Sequence, residues 1–278
     1  MQTEQHKIET LLGYRARTDH HISERLLVAP ILTYLVLAVI PWILVIGTFG
    51  QTPLEIIDVI LIVLGTVGLF ASASSAYLVY LLVNRRNNHF AREQAMFGNV
   101  LEILRAKVPP SDANGQWRLS NNYRCYQWLG ESSGERSAIL QALLVFTPFL
   151  GWFLLMFGPL WVLIPYLGWF VLMFELLLLT DDWKEHEFRE DYMIQEVNGT
   201  LGLLGLYQLP NRLRPSPIRS RSAAVYLILS IFTLGVVELV WLYLSTSDPY
   251  EHFEFHSHFE FPLAGLLGPP KPPVGAVA

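Results

Sequence analysis

Histidine and a carboxylate or second histidine four residues apart fall on one face of a helix. The chain carries that spacing at His20/Glu24, His89/Glu93, His186/Glu190 and His252/His256. Imidazole and carboxylate offered from one face can ligate zinc or iron, as they do inside helical bundles. The plainer alternative is a hydrogen bond on a helix surface, worth about 0.2–0.5 kcal/mol per pair. His89, Glu93, His186, Glu190, His252 and His256 are the candidate metal ligands on this reading, although no His-Glu-x-x-His run is present. Downstream, His252, His256 and His258 stand among Glu251, Glu254 and Glu260, a second and weaker way to hold a metal. Phe253, Phe255, Phe259 and Phe261 punctuate the same stretch, and their near alternation predicts an extended strand. Two further carboxylates, Glu175 and Glu238, lie inside apolar blocks. An ionisable group placed there is a functional candidate by default, for proton or ion coupling in the case of the deeper Glu238, against a structural polar contact. No phosphate-binding glycine loop, dinucleotide fingerprint or serine nucleophile elbow occurs.

Two of the histidine pairs belong to a longer match. His89, Arg92, Glu93, Met96 and Val100 align without gaps on His186, Arg189, Glu190, Met193 and Val197, at a constant offset of 97. Leu81-Leu82 and Leu178-Leu179 match at the same offset. The pattern reads as an internal repeat of an apolar span, a polar elbow and a surface helix. A partial third copy runs from Leu244 to Phe253.

The elements that must position these groups are apolar. The chain of 278 residues is 52% hydrophobic and 15% charged, with a net charge of −5. Charge is missing from a few long blocks, the pattern of a polytopic membrane protein, and nothing suggests a nucleic-acid surface. One cysteine, Cys125, excludes an internal disulfide. The first 25 residues are polar, so the first apolar run is expected to insert uncleaved. That run spans Leu26–Phe49, and Leu54–Val83 follows. Ala138–Thr180 is too long for one crossing and reads as a hairpin turning at Phe157–Leu160. Ala223–Leu244 is about one span long. Eighteen of the nineteen basic residues fall on three segments that alternate crossings place on one side. The expectation is an all-α polytopic transmembrane bundle of about five spans in the cell membrane, N-terminus cytoplasmic. A re-entrant pair hinged at Thr233–Gly235 is the alternative for the last block, and the charge pattern favours a single crossing.

The connectors are structured as well. Met96, Val100, Leu104 and Val108 form one stripe, which predicts an amphipathic helix lying at the interface. The resulting segments are an N-terminal segment (1–25), a first repeat (26–108), a polar aromatic linker (109–137), a second repeat (138–209), a basic proline-rich linker (210–221), the last span with its His/Phe/Glu segment (222–261) and a disordered proline- and glycine-rich tail (262–278).

Ser230, Ile231, Thr233, Gly235 and Trp241, followed by Asp248 and His252-Phe253, resemble a prokaryotic membrane family of unknown function. That family carries a Ser-Ile-x-Thr-x-Gly-Ile-Tyr-x-x-x-Trp signature; here Val236 and Val237 stand in place of Ile-Tyr. The resemblance covers about 25 residues and implies a small membrane protein, with no catalytic residues attached. The His-x-x-His-His boxes of membrane di-iron oxidases are absent. The sequence therefore favours a non-enzymatic scaffold without a cofactor, organising a membrane-protein partner or a second copy of itself in the lipid bilayer. Its alternative is a metal-binding or proton-coupled membrane protein.

Overall fold

The structure is a computed structural model and describes residues 2–19, 22–49, 54–151, 163–210 and 217–267. Helices α1 (Gln2–Gly13) and α2 (Arg15–Thr18) lead through a short 3-10 turn (Glu24–Leu27) into α3 (Val28–Phe49). Then come α4 (Leu54–Lys107), α5 (Ala113–Ser132), α6 (Ala138–Phe149) and α7 (Leu163–Leu203). The chain continues through α8 (Pro217–Ser220), α9 (Ala223–Phe232), α10 (Val236–Ser247) and α11 (Pro249–Leu267). The described residues are all-helical, with no strand.

The fold is dominated by α4 and α7. With 54 residues and a rise of about 1.5 Å each, α4 is roughly 80 Å long. Its apolar first half ends near Val83, and the helix continues as a polar shaft. The predicted interfacial helix at 92–108 is therefore the far half of α4. Its stripe of Met96, Phe97, Val100, Leu101 and Leu104 is covered by Ile8, Met193, Val197, Leu201 and Phe259. An amphipathic stripe needs an apolar partner; here protein supplies it, not lipid. The second surface helix is likewise the continuation of α7.

The other connectors also differ from expectation. The N-terminal segment folds as α1 against α4 and α11. The polar linker is largely α5, opened by Asp112, whose side chain accepts from Asn114 N and Gly115 N at 3.1 Å each. It packs on α4 and α7, and Asn122 Nδ2 donates to Thr200 Oγ1 at 2.7 Å. The predicted strand and the first part of the predicted disordered tail together form α11. Helical winding puts Phe253, Phe259 and Leu263 inside.

Helices α6 and α7 form the expected hairpin: Arg136 meets Asp182 at 2.9 Å at one end, and Gly151 abuts Ile164 at the other. The Phe157–Leu160 turn lies outside the described residues, as do Gly50–Pro53, His20, 211–216 and 268–278. The last apolar block is not one continuous helix, as a single crossing would need. Leu234 (φ 50°) and Gly235 (φ 96°) reverse the chain between α9 and α10. Left-handed backbone is cheap only for glycine, and Gly235 supplies it at the helix start. The two helices stack Tyr226 on Trp241, and their far ends are closed by Arg221 Nε to Asp248 Oδ2 at 2.5 Å. At roughly 15 and 18 Å, each helix is half a bilayer core. The charge count could not detect this, because a tail that carries few basic residues looks the same on either side.

Among the described residues, two helices are long and apolar enough to cross a membrane, Val59–Lys107 and Ile164–Leu203. Leu78, Val79, Leu82, Leu172, Leu176 and Trp241 form a core in the apolar half. A second core fills the polar half. Between them Phe90, Trp183, Ile218 and Phe253 make a third, smaller cluster.

Candidate metal centre

The hairpin of α9 and α10 brings a distant segment home. Arg85, fully buried on α4, donates to the carbonyls of Ser245 and Thr246 at 3.0 and 3.1 Å. These last-turn carbonyls have no partner within their own helix, so Arg85 ties the end of α10 to α4. Helix α11 starts two residues later, beside the polar halves of α4 and α7.

There the histidine pairs converge. His89, Glu93, His186, Glu190, His252 and His256 are all fully buried, together with Glu187 and Glu260. His89 Nε2 lies 3.0 Å from His252 Nε2, which lies 3.1 Å from His256 Nε2. Glu93 Oε2 is 3.6 Å from His89 Nε2 and 3.9 Å from His256 Nε2. One ligand atom from each of His89, Glu93, His252 and His256 fits within 4.8 Å of all the others.

The opposite ring nitrogens fix the chemistry. His89 Nδ1 meets Asp19 Oδ1 at 2.8 Å, and His256 Nδ1 meets Glu260 Oε1 at 2.7 Å. His252 Nδ1 faces Glu190 Oε2 at 3.6 Å and Glu187 Oε1 at 4.0 Å. With the proton on the nitrogen that faces Asp19 or Glu260, His89 and His256 turn an Nε2 lone pair toward the cage, as metal-ligating histidines do. His256 Nε2 also lies 2.9 Å from Glu190 Oε1, so a cation or a proton must sit among these groups. In a tetrahedral zinc site with bonds of about 2.0–2.1 Å, neighbouring ligand atoms are about 3.3 Å apart. The observed separations bracket that value.

Carboxylate and arginine surround the cage. Arg92 reaches Asp19 Oδ2 at 3.0 Å and Glu260 Oε1 at 2.9 Å. Burial works against the Asp19 carboxylate, yet His89 and Arg92 beside it hold its pKa down at about 2. Burial pushes Glu260 up to about 7 against the pull of Arg92 and Arg15. Glu190 is raised well above the usual carboxylate range by burial and by Glu93 next to it. Aromatic rings pack against the imidazoles: Phe90 stacks on His186 at 3.6 Å, and Phe253 lies 4.7 Å from His89. Arg15, Asp19, Tyr250, Phe253 and Glu254 line an open cavity of about 560 Å³ beside them. An ion can approach through it as far as Asp19.

No family model, curated protein or solved structure matches this chain. The resemblance at Ser230–Trp241 rests on its own residues.

The structure brings six sequence candidates together: His89, Glu93, His186, Glu190, His252 and His256. The His20/Glu24 pair falls outside the described side chains. His258 is exposed on the outer face of α11, where its ring meets the Glu254 carbonyl. Glu175 lies apart, facing Gln141; with the amide nitrogen turned toward it, Gln141 donates to Glu175 Oε2 at 2.8 Å. Glu238 is also apart, 2% exposed, beside a small cavity lined by Thr33, Tyr34, Ser75 and Trp169. Sequence reasoning missed Asp19 and Glu187 and gave Glu260 no orienting role. Glu260 had a signal, since it continues the four-residue ladder of His252 and His256. Asp19 had none, because its partner is 70 residues away.

Proposed function

We propose that this chain is a multi-pass membrane protein that binds a transition-metal ion through His89, Glu93, His252 and His256. The observation that carries this reading is the convergence of three buried imidazole Nε2 atoms, two of which belong to rings whose other nitrogen is hydrogen-bonded to a carboxylate. Carboxylate–histidine–metal relays have that arrangement. Three imidazoles and one carboxylate suit zinc or ferrous iron. The geometry thus favours the metal alternative over the bare scaffold. The membrane assignment draws support from large exposed apolar side chains on the apolar halves, such as Val59, Val63, Phe70, Leu167, Phe170 and Phe174. A contiguous band of this kind is the mark of a surface that water does not wet. The lipid bilayer is the partner this implies. The lysine and arginine distribution supports a cytoplasmic N-terminus and a metal centre on the same side.

Elemental analysis of the full chain, purified in detergent without a polyhistidine tag, tests the metal assignment. Zinc or iron at one or more ions per chain is expected, with loss of the ion in a His89→Ala, His252→Ala double variant. Metal-free protein that takes up neither ion on titration would overturn it.

A second reading, proton or ion coupling through Glu238, has one observation of its own. Among the described residues, neither carboxylate oxygen of this buried side chain has a hydrogen-bond partner. Reconstituted vesicles would show a proton flux that Glu238→Gln abolishes while assembly is preserved; equal flux in both proteins would discard it.

A further inference from the structure

The four-ligand set leaves His186 and Glu190 unexplained, although they match His89 and Glu93 at the offset of 97 residues. We propose that the cage holds two cations, with Glu93 bridging them and with His186 and Glu190 as ligands of the second. This deepens the metal-binding reading above and rests on it.

The position of Glu93 is the first reason. Its Oε2 lies 2.5 Å from His186 Nε2 on one side and 3.6 Å from His89 Nε2 on the other. Its Oε1 is buried with no hydrogen-bond partner. A carboxylate flanked by imidazoles from two helices, with one oxygen left over, is placed to bridge. The second reason is Glu190. Its Oε1 lies 2.9 Å from His256 Nε2, and its Oε2 faces His252 Nδ1. It therefore borders the first ligand set while standing one helical turn from His186, as Glu93 does from His89. Paired His/Glu positions on neighbouring helices are how bundles build two-ion carboxylate sites. Bridged ions sit about 3.5–4 Å apart.

Charge is the third reason. Among the described residues the cage is bordered by Asp19, Glu93, Glu187, Glu190 and Glu260, five carboxylates. Two guanidiniums, Arg15 and Arg92, face them. Five carboxylates against two guanidiniums leave the cage richer in anionic ligands than one divalent ion uses. Phe90, stacked on the His186 ring, fixes the direction in which that imidazole offers its nitrogen.

The experiment is metal counting on the untagged full chain, emptied with chelator and refilled with Zn²⁺ or Co²⁺. Two ions per chain are expected in the wild type and one in both His186→Ala and Glu190→Gln. Circular dichroism of each variant confirms that it keeps its helices. With cobalt, the paramagnetic resonance signal at two equivalents should fall below twice the signal at one, because bridged ions couple. One ion per chain, or two whose signals simply add, overturns the bridged pair and leaves the single-ion centre intact. No ion at all overturns both.

Discussion

Glu260 touches no ion in the proposed first site, yet its removal should weaken metal binding by a defined amount. Its Oε1 accepts from His256 Nδ1 at 2.7 Å and forms an ion pair with Arg92 Nη1 at 2.9 Å. The first contact keeps the proton on Nδ1 and the lone pair on Nε2. Losing such a partner costs about 10- to 100-fold in metal affinity. Glu260→Gln retains an acceptor oxygen and loses only charge, so it belongs at the lower end, about 10-fold or ~1.4 kcal/mol. Glu260→Ala removes the acceptor as well and leaves His256 free to adopt either tautomer. It belongs near 100-fold, about 2.7 kcal/mol. Competition against a chromophoric zinc chelator reads both values directly. Glu102→Gln is the control, since Glu102 sits on the outer face of α4 bonded to Tyr123 and should change nothing. Folded Glu260→Ala protein with wild-type zinc affinity would refute the assignment of His256 as a ligand through Nε2.

Three further outcomes are expected. Stripping metal with a chelator should lower the thermal midpoint by about 8–16 °C, taking ligand at 1,000 times its Kd and the usual response of a chain this size; an unchanged melting curve in detergent would count against a buried ion. Gly235→Ala places a Cβ against the Trp169 ring at a φ of 96°, so it should cost about 1–3 kcal/mol, seen as a lower midpoint without loss of helix content. Single cysteines at the exposed positions Asn88 and Glu254, in a Cys125→Ser background, should react with an impermeant maleimide from the same face of sealed vesicles. Labelling from opposite faces would contradict the re-entrant hairpin of α9 and α10.

The ligand pairs were legible because their spacing is local: four residues apart on a helix is a property of the helix alone. What the pairs meet was not. Asp19 joins His89 only after α1 and α2 fold back on α4, and no periodicity records that. Hydropathy marked the apolar halves of α4 and α7 but not the fate of the polar halves. The stripe through Met96, Val100 and Leu104 asks only for an apolar cover, and lipid or the faces of α1, α7 and α11 would satisfy it equally. The phenylalanines of α11 misled in the same way. Phe253, Phe255, Phe259 and Phe261 fit a period of two, while Phe253, His256 and Glu260 fit a helix turn; the contacts with His89 and Arg92 decide between them. The hinge at Leu234–Gly235 was visible as an alternative and was outweighed by a count of basic residues, which reports on loops and is silent about a chain that turns back within the bilayer.

Because the ligands come from three helices far apart in sequence, the order of synthesis constrains loading. His256, the last ligand of the proposed first site, is made 163 residues after Glu93. At about 5–20 residues per second the ribosome adds it roughly 8–33 s later. On the proposed reading, the first ion is held only once α11 has emerged and docked. A chain cut short before α11 should lack two of the four ligands of that site and keep only the residues proposed for the second.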